Sequence, residues 1–306
     1  MADYYGIDTV VSELREDGLL IIRINRPEVA NALNGVTSKA MENIMNNAET
    51  DPAVRAIIVT GTGKVFCAGE DLSELSAGGE CQTVTEHGFG GLTARLCSKP
   101  VIAACNGSAA GGGMEIALSC DMVVANENAK FGCTEVGLGI IASTGGLVRL
   151  ARDINRKDCM ELLLTGKKIK APEAKELGLV RKDDVVAFNA FELLHIAKQE
   201  ALALAERGYR PPLPGRRIQV AGDVGIATFK MMLVNMLEGR FISPHDYEIA
   251  TRIASVLCGG EIDRGSLVDE AWLLRLEREH FVALAQMPKT QERIAHMLKT
   301  GKPLRN

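Results

Sequence analysis

The chain of 306 residues is predicted to be an α/β protein, with a core over residues 1–210 and a helical region over residues 211–306. Two observations predict this arrangement. In the first part, short β-branched runs alternate with segments of helical spacing, which is typical of βαβ units and a mainly parallel sheet. After a proline-rich break at residues 211–215, apolar positions follow helical spacing almost to the end of the chain.

The composition is that of an ordinary globular protein and disfavours several functions. Hydrophobic residues make up 46% of the chain and charged residues 24%, and no Lys/Arg run accompanies the formal charge of −4, so no nucleic-acid partner is expected. No apolar stretch could span a bilayer and no signal-peptide pattern is present, so we expect a cytoplasmic protein without a membrane partner. The eight cysteines contain no C-x-x-C pair and the five histidines lack ligand spacing. We therefore expect reduced cysteines and no metal site.

The first 60 residues contain a predicted hairpin, a helix and a buried strand. Residues 9–14 and 19–24 are two β-rich runs around the Asp17-Gly18 turn, which is a typical hairpin signal. From Val36 the apolar positions follow helical spacing. Residues 54–60 are continuously apolar enough to form a strand that is buried on both faces.

The glycine-rich loop at residues 61–72 is not predicted to bind phosphate. Gly61-Thr62-Gly63-Lys64 resembles the start of a phosphate loop, but Val65 follows the lysine where Ser or Thr is required. Residues 73–97 are expected to form a mobile loop and then a helix that ends near Cys97. A buried strand of small and β-branched residues follows at residues 101–105.

The rest of the chain is predicted to be mainly helical. A short helix at residues 114–118 and a strand at 122–125 precede residues 131–139, which are too glycine-rich for regular structure and are expected to form a shaped loop. Ser143 and Thr144 are candidate N-caps for a helix that runs through Leu150. Further helices are expected at residues 156–164, 171–177 with Gly178 as the stop, 188–207, 218–239, 245–258, 266–286 and 289–299.

Residues 106–115 are the stretch most suggestive of chemistry. Three glycines, Gly111, Gly112 and Gly113, lie between a predicted strand and a predicted helix. They allow the close approach of a ligand, and N–H groups at a helix start lack intrahelical acceptors. Such a site suits an anion, or an oxygen that becomes negative during a reaction, with Glu115 in the first turn beside it. The alternative is a tight turn followed by a glutamate that only compensates the helix dipole.

Several segments have an order and spacing that point to one family. They are Asn25-Arg26-Pro27 with Asn31-Ala32-Leu33, residues 66–72, residues 106–115 with Cys120-Asp121, residues 131–139, Leu164-Thr165-Gly166 and residues 171–180. Over about residues 8–215 the chain resembles the enoyl-CoA hydratase/isomerase (crotonase) superfamily. The resemblance implies a crotonase-like ββα superhelix core that binds an acyl-CoA thioester. Its motifs are specific for the superfamily and less specific for one reaction within it.

The resemblance also implies where the thioester binds. Its carbonyl oxygen would lie between two backbone N–H groups, those of Glu70 and Gly112, and an enolate needs such donors fixed before charge develops. The backbone around Ala68, Glu70, Asp71 and Leu72 would line the adenine end of CoA. CoA arrives as part of the substrate, so no separate cofactor is expected. From the residues alone, the alternative for this loop is a glycine turn with a solvent-facing Glu-Asp pair.

Hydratases of this superfamily use two glutamates, and Glu115 and Glu135 fill both positions. Addition of water across a conjugated double bond requires a base that polarises the water and an acid that protonates the α-carbon. Two nearby carboxylates have their pKa values driven apart, so one can hold a proton while the other stays ionised. Taken alone, Glu135 would be interpreted as a surface glutamate. The resemblance favours an enoyl-CoA hydratase; isomerisation, decarboxylation or ring-opening hydrolysis through the same enolate, and a non-catalytic CoA-binding subunit, remain alternatives.

Two features depart from a simple hydratase. Ser143 stands where the superfamily usually has a glycine beside the reacting water. The helical tail is longer, and residues 289–303 resemble the closing segment of hydratase modules fused to 3-hydroxyacyl-CoA dehydrogenases, although the chain has no dinucleotide fingerprint. By this analogy Lys302 would lie near the CoA phosphates; a solvated helix end is the alternative.

The superfamily resemblance further implies a homotrimer or a dimer of trimers. The helical tail would then pack near the active site of its own or a neighbouring subunit. Within residues 266–286, an apolar stripe at helical spacing is expected to need a partner surface. It consists of Leu267, Ala271, Leu274, Phe281 and Leu284.

Overall fold

The computed structural model describes residues 6–76, 84–180, 184–213, 215 and 217–306. Its strands are, in chain order, β1 (Val10–Leu14), β2 (Leu19–Ile24), β3 (Ala56–Gly61), β4 (Val65–Cys67), β5 (Val84–Thr85), β6 (Gly88–Phe89), β7 (Val101–Cys105), β8 (Ser108–Ala110), β9 (Met122–Asn126), β10 (Lys130–Gly132), β11 (Ile169–Lys170), β12 (Val185–Ala187), β13 (Ile218–Gln219) and β14 (Leu267–Val268). Its helices are α1 (Gly35–Thr50), α2 (Leu72–Ser76), α3 (Gly112–Ser119), α4 (Gly146–Asp153), α5 (Arg156–Thr165), α6 (Ala171–Leu177), α7 (Leu193–Glu206), α8 (Gly222–Glu238), α9 (Pro244–Cys258), α10 (Glu270–Ala285) and α11 (Pro288–Thr300), with short 3-10 helices at Pro27–Val29 and Glu135–Leu138. These elements confirm the predicted mixed α/β fold.

The larger sheet has its strands in the order β1-β2-β3-β7-β9-β12. β1 and β2 form the predicted antiparallel hairpin, and every later pair of neighbours is parallel. β3 is buried on both faces, as predicted. Ile57 and Val59 lie in the main core, whereas Ala56 and Ile58 lie in a second apolar cluster that α7 covers. Alternate residues of β3 therefore pack into two separate apolar layers, one on each face of the sheet.

The smaller sheet has the order β11-β10-β8-β4 and determines where the functional loops lie. β4 and β8 are parallel neighbours, and Cys67 lies opposite Ala109. The carboxyl ends of parallel strands meet at one edge of a sheet. The loop after Cys67 and the glycine turn after Ala110 therefore leave the sheet side by side.

Asn31 ties separate segments of the core together. It is completely buried, with a φ of 57°. Its side-chain oxygen accepts the Arg26 N–H at 2.9 Å, and its amide nitrogen donates to the carbonyl oxygens of Thr62 at 2.9 Å and Val65 at 2.7 Å. These bonds hold the turn after β2 against the loop that leads into β4. The asparagine of this motif thus has a structural role.

The C-terminal region begins with paired elements and then returns to the core. β13 pairs with β14, and α8 packs against α9. α10 and α11 carry Phe281, Leu284 and Ile294 into the same apolar cluster as the N-terminal strands. The division of the chain at residues 210 and 211 stays a prediction.

The helix predicted at the end of residues 73–97 is wrong. Residues 84–97 form the short hairpin of β5 and β6 followed by turns, and residues 77–83 lie outside the described part of the chain. The reason is a set of positive φ angles that a right-handed helix does not allow. They occur at Gly88 (87°), Gly90 (60°) and Gly91 (71°).

Two other expectations need correction. Residues 131–139 do contain regular structure, because β10 and the 3-10 helix Glu135–Leu138 occupy most of them.

The helices predicted to begin at residues 188, 218 and 266 begin later, at Leu193, Gly222 and Glu270. The last two begin late because the preceding residues pair as β13 and β14. The remaining predicted helices are confirmed, apart from the capping of α4.

Within the described residues, no helix is both long and apolar enough to cross a membrane. The cysteines of this part of the chain are free and buried: Cys67, Cys97, Cys105, Cys120, Cys133, Cys159 and Cys258. Burial raises the pKa of Cys67, which ends β4, to about 12. This thiol is therefore a packing residue and not a nucleophile at neutral pH.

Candidate active site

The loops that leave β4 and β8 touch each other. A Cβ on Gly69 would lie 3.0 Å from the Gly112 nitrogen and 3.0 Å from the Ala110 carbonyl oxygen. Gly69 also has a φ of 99°, a conformation that favours glycine. Both the backbone conformation and the close approach of the two loops therefore require a glycine at residue 69.

The residues predicted to bind the thioester oxygen belong to these two loops. Leu33 N–H donates to the Gly69 carbonyl at 2.8 Å, and Asp71 N–H donates to the Leu33 carbonyl at 2.9 Å. Successive N–H groups of an extended chain point to opposite sides. The N–H group of Glu70 therefore points away from Leu33. Gly112 opens α3, where N–H groups have no intrahelical acceptor.

The Asp71 carboxylate of the predicted CoA loop is bound by neighbouring side chains. Its Oδ2 lies 2.9 Å from Arg26 Nη2, and its Oδ1 accepts a hydrogen bond from the Ser73 hydroxyl. Burial raises the pKa of Asp71, but the hydrogen bonds from Ser73 and Arg26 lower it more, and the net pKa falls below its ordinary value. The alternative of a solvent-facing Glu-Asp pair is therefore wrong for Asp71. The other predicted CoA-loop residues are more open: Ala68 is exposed, and Glu70 and Leu72 are half-buried.

Glu115 lies on α3 and is 1% exposed. Its Oε1 accepts the N–H groups of Ser143 at 3.1 Å, Thr144 at 2.7 Å and Gly146 at 2.8 Å. Its Oε2 accepts the Thr144 hydroxyl at 2.8 Å. Such donors fix the orientation of a buried carboxylate. Ser143 thus contacts Glu115 through its backbone, a contact that does not depend on its side chain.

Glu135 is also buried but has different surroundings. It begins the 3-10 helix Glu135–Leu138, and its buried Oε2 has no hydrogen-bond partner within the described part of the chain. A Cβ on Gly111 would lie 3.3 Å from Glu135 Oε1, so the carboxyl group lies against the glycine turn. Burial, and then the negative charge of Glu115, raise the pKa of Glu135 to about 8. The interpretation of Glu135 as a surface glutamate is wrong, and a proton is expected on it at neutral pH.

Another buried carboxylate close to Glu115, Glu277 of α10, was not predicted. It is 0% exposed. Its Oε2 accepts the Gly145 N–H at 2.7 Å, and its Oε1 accepts the N–H groups of Leu147 at 2.9 Å and Val148 at 3.0 Å. Burial and the nearby Glu115 raise the pKa of Glu277, while these N–H bonds oppose the increase.

The predicted N-cap of α4 also needs correction. The N-cap residue is Gly145, with a φ of 124° and no side-chain cap bond, so the expectation that Ser143 or Thr144 caps this helix is wrong. A signal was present in the sequence: Glu277 stands four residues after Leu273 and four before Phe281. It therefore occupies the apolar face of its helix, where an ionisable residue needs a specific partner.

A hollow opens beside Glu135. It is lined by Glu135, Val136, Ile140, Leu147, Ile249 and Ile253, among others. Most of these side chains are aliphatic, and the last two come from α9 of the C-terminal region. Aliphatic side chains of this kind suit contact with an apolar group attached to whatever the glutamates act on.

The tail lies against the site of its own chain. The Gln291 amide of α11 donates to the Leu75 carbonyl of α2 at 3.3 Å. Beyond the helix, Pro303 lies 3.8 Å from where a Cβ on Gly137 would be. The exposed Lys302 precedes Pro303 in the sequence. The structure thus brings the loop of Gly69 and Glu70, the glycine turn at Gly112, Glu115 and Glu135 together. A place for Lys302 near CoA stays a prediction.

The comparison with protein families agrees with this fold. Residues 15–208 match the enoyl-CoA hydratase/isomerase family. The chain belongs to this family and has the crotonase fold that the sequence resemblance implied.

Three known proteins show how far the similarity extends. A short-chain-enoyl-CoA hydratase of Clostridium acetobutylicum is 42% identical over 202 residues, which are 64% of this chain and 74% of that protein. A probable 3-hydroxyacyl-CoA dehydrogenase of Bacillus subtilis is 32% identical over 275 residues, with 84% of this chain covering 35% of that protein. The structure of a carnitinyl-CoA dehydratase from Mycobacterium avium 104 has a TM-score of 0.68 at 32% identity and covers 97% of this chain and 98% of its own.

The second match confirms the predicted resemblance to a 3-hydroxyacyl-CoA dehydrogenase. The present chain spans about a third of the length of that relative. The third match covers nearly the whole chain, so its likeness includes the C-terminal helices as well as the family core.

Proposed function

We propose that this chain is an enoyl-CoA hydratase that adds water across the double bond of a 2-enoyl-CoA. The observation that carries the proposal is the pair of buried carboxylates, Glu115 and Glu135, in different surroundings beside the touching loops. Hydration needs a base and an acid at neighbouring atoms. Migration of a double bond needs only one carboxylate that takes up a proton and returns it.

The thioester carbonyl is proposed to bind between the two loops. Its oxygen accepts hydrogen bonds from the backbone N–H groups of Glu70 and Gly112. Negative charge develops on this oxygen as the enolate forms, and donors fixed in advance are each worth roughly 3–4 kcal/mol of transition-state stabilisation. Contact between the loops of Gly69 and Gly112 supports this assignment, because one oxygen has to reach both donors.

Glu115 is proposed as the base and Glu135 as the acid. Oε1 of Glu115 already accepts three N–H groups, whereas among the described residues Oε2 accepts only the Thr144 hydroxyl. This leaves a lone pair of Oε2 for water. The water gives a proton to this oxygen as its own oxygen bonds to the β-carbon, and the double-bond electrons move into the thioester as an enolate. Glu135, protonated at neutral pH because its pKa is about 8, then protonates the α-carbon. Transfer of the proton on Glu115 to Glu135 restores both groups.

The remaining substrate contacts are proposed from the same geometry. The backbone of Ala68, Glu70, Asp71 and Leu72 lines the adenine end of CoA, and Lys302 lies near its phosphates. CoA enters as part of the substrate, and the proposed reaction uses no separate cofactor or metal. The aliphatic side chains beside Glu135 are proposed to contact the acyl group, which favours an uncharged chain.

We also propose a cytoplasmic homotrimer or dimer of trimers, without a nucleic-acid or membrane partner. The apolar stripe predicted within residues 266–286 supports this assembly less than expected, because Phe281 and Leu284 are buried within the chain itself. α8 supports it better. It packs along α9 and exposes several large apolar side chains, which favours a protein partner: Val224, Phe229, Met231, Met232, Val234 and Met236.

A panel of acyl-CoA substrates tests the proposed reaction. The purified chain is incubated with a short 2-enoyl-CoA, its 3-enoyl isomer and carnitinyl-CoA, and products are identified by mass spectrometry. We expect the 2-enoyl-CoA to gain one water, faster than any change in the other two. Conversion of only the 3-enoyl isomer would indicate an isomerase instead. Binding of all three without conversion would indicate a CoA-binding subunit.

A further inference from the structure

The turn at residues 143–148 lies between two buried carboxylates from distant parts of the chain. The N–H groups of Ser143, Thr144 and Gly146 donate to Glu115 on α3. The intervening and following N–H groups, at residues 145, 147 and 148, donate to Glu277 on α10. Each N–H group of the turn is therefore taken by one of the two carboxylates.

Because the donors to Glu115 and Glu277 alternate along one turn, the position of the Glu115 carboxylate depends on Glu277. Gly146 N–H, at 2.8 Å from Glu115 Oε1, stands between Gly145 and Leu147, which donate to opposite oxygens of Glu277 at 2.7 and 2.9 Å. Peptide groups are planar, so the donors on both sides of Gly146 restrict the direction of its N–H. The turn is buried, and loss of Glu277 would leave these neighbouring donors without acceptors in the protein interior.

We propose that Glu277 is a positioning residue for the hydration reaction. It holds the turn so that the donors of Ser143, Thr144 and Gly146 stay on Oε1 of Glu115 and leave Oε2 directed at the water. This inference rests on the proposed function. It also makes α10 of the C-terminal region a determinant of catalysis, although α10 lies outside residues 15–208 that match the family.

The first test is Glu277→Gln, which keeps the size of the side chain but replaces one acceptor oxygen with a donor. The amide NH₂ would face an N–H group of the turn, so the turn has to shift. We expect kcat to fall about 10- to 100-fold, because small misplacements of a catalytic group have effects of this size. KM for the 2-enoyl-CoA should stay within about twofold of the wild-type value, because the predicted CoA loop is not part of the turn that Glu277 holds.

Glu279→Gln is the matched control on the same helix. Glu279 is exposed and lies 3.8 Å from Arg275 in an i, i+4 pair, away from the turn. Its substitution should leave kcat and KM at their wild-type values. Wild-type kcat in a folded Glu277→Gln enzyme would overturn the inference while leaving the hydratase proposal in place; absence of hydration in the wild-type chain would instead overturn the proposed function.

A double-mutant cycle separates positioning from a general structural role. If Glu277 acts through Glu115, then Glu277→Gln added to Glu115→Gln should not reduce the residual turnover further. A further loss equal to that of the single variant would show an independent effect and overturn the inference. If Glu277→Gln does not fold, Glu277→Asp decides the matter. It keeps the carboxyl group but is one methylene shorter, so kcat should fall with KM unchanged, and undiminished kcat would contradict the proposal.

Discussion

Glu115 and Glu135 are both buried, but Glu115 accepts several hydrogen bonds, whereas Glu135 has one oxygen without a partner in the residues that the structure describes. Gln is close in shape to Glu but can neither take up nor supply the proton that hydration requires. We expect Glu115→Gln and Glu135→Gln each to reduce turnover by about 10²–10⁴-fold. Steady-state kinetics with a 2-enoyl-CoA, and acyl-CoA binding measured by calorimetry, would show turnover lost with binding kept.

The double variant should be little worse than either single variant, since groups that act as one unit are not additive. An isomerase that works through one carboxylate would tolerate the loss of the other. Full hydration by the Glu135→Gln variant would exclude the mechanism with two glutamates.

Glu135 should also make stability depend on pH. Its pKa is about 8 when folded, against an ordinary value of 4.5. Between these pH values the folded chain holds a proton that the unfolded chain has released, so the free energy of unfolding falls as pH rises through this window. Glu135→Gln removes this dependence. Thermal unfolding at pH 4.5 and pH 8.5 should show a Tm gain of the variant over the wild type that is larger at the higher pH.

The same Tm difference at both pH values would mean that the Glu135 pKa is not raised in the folded protein. In kinetics, kcat/KM for the wild type should decrease above about pH 8, because the acid is then ionised.

Gly112 is predicted to donate its N–H to the enolate oxygen. Gly112→Pro removes that donor and should reduce turnover by about 10²–10³-fold. A Cβ at this position would also lie 2.5 Å from the Phe89 ring, so Gly112→Ala is the matched control: it introduces the same crowding but keeps the N–H. Equal kcat in the two folded variants would show that the donor has no catalytic role.

Among the secondary-structure elements, some strands could be predicted from their own residue types and others could not. β3 and β7 are continuous apolar runs, and their local composition was enough to predict them. The helix expected before residue 97 failed because glycine backbone angles, which composition does not reveal, turn the chain there. The β13–β14 pair was missed for another reason. Its strands are two residues long and about 50 residues apart, so pairing rather than propensity forms them.

The last helix, α11, is expected to place Lys302 near the CoA phosphates. Its Gln291 already contacts α2 of the CoA loop. Lys302→Ala should raise KM about two- to fivefold without changing kcat, as expected for an exposed ion pair. Lys289→Ala, at the other end of α11, should leave KM unchanged. The difference should shrink at high salt; an unchanged KM at low salt would place Lys302 away from the phosphates.

For the whole molecule, the exposed apolar face of α8 predicts an assembly of several copies. Met231 and Met232 are 66% and 57% exposed. Light scattering at micromolar concentration should give the mass of a trimer or a multiple of it. Met231→Lys with Met232→Lys should reduce that mass, whereas Leu96→Lys, at another exposed apolar residue, should not. A monodisperse wild-type monomer would contradict the predicted assembly.

The site could be predicted in part because its first components lie in short local motifs. Gly69 with Glu70, and Gly112 with Glu115, are each contained in one turn of chain, and their residue types suggest their chemistry. Glu277 could not be assigned in this way. It is 132 residues from Gly145, and only the folded chain shows that a charged residue on an apolar helix face meets the start of α4.

The most direct test of the central claim is hydration of a 2-enoyl-CoA in water enriched with heavy oxygen. The wild-type chain should consume the conjugated enoyl absorbance and give a 3-hydroxyacyl-CoA with one labelled oxygen at the β-carbon. The Glu115→Gln/Glu135→Gln double variant should bind the same substrate and form the product at least 10²-fold more slowly. A wild-type chain that yields no labelled product from any 2-enoyl-CoA, or a double variant as fast as the wild type, would contradict the account.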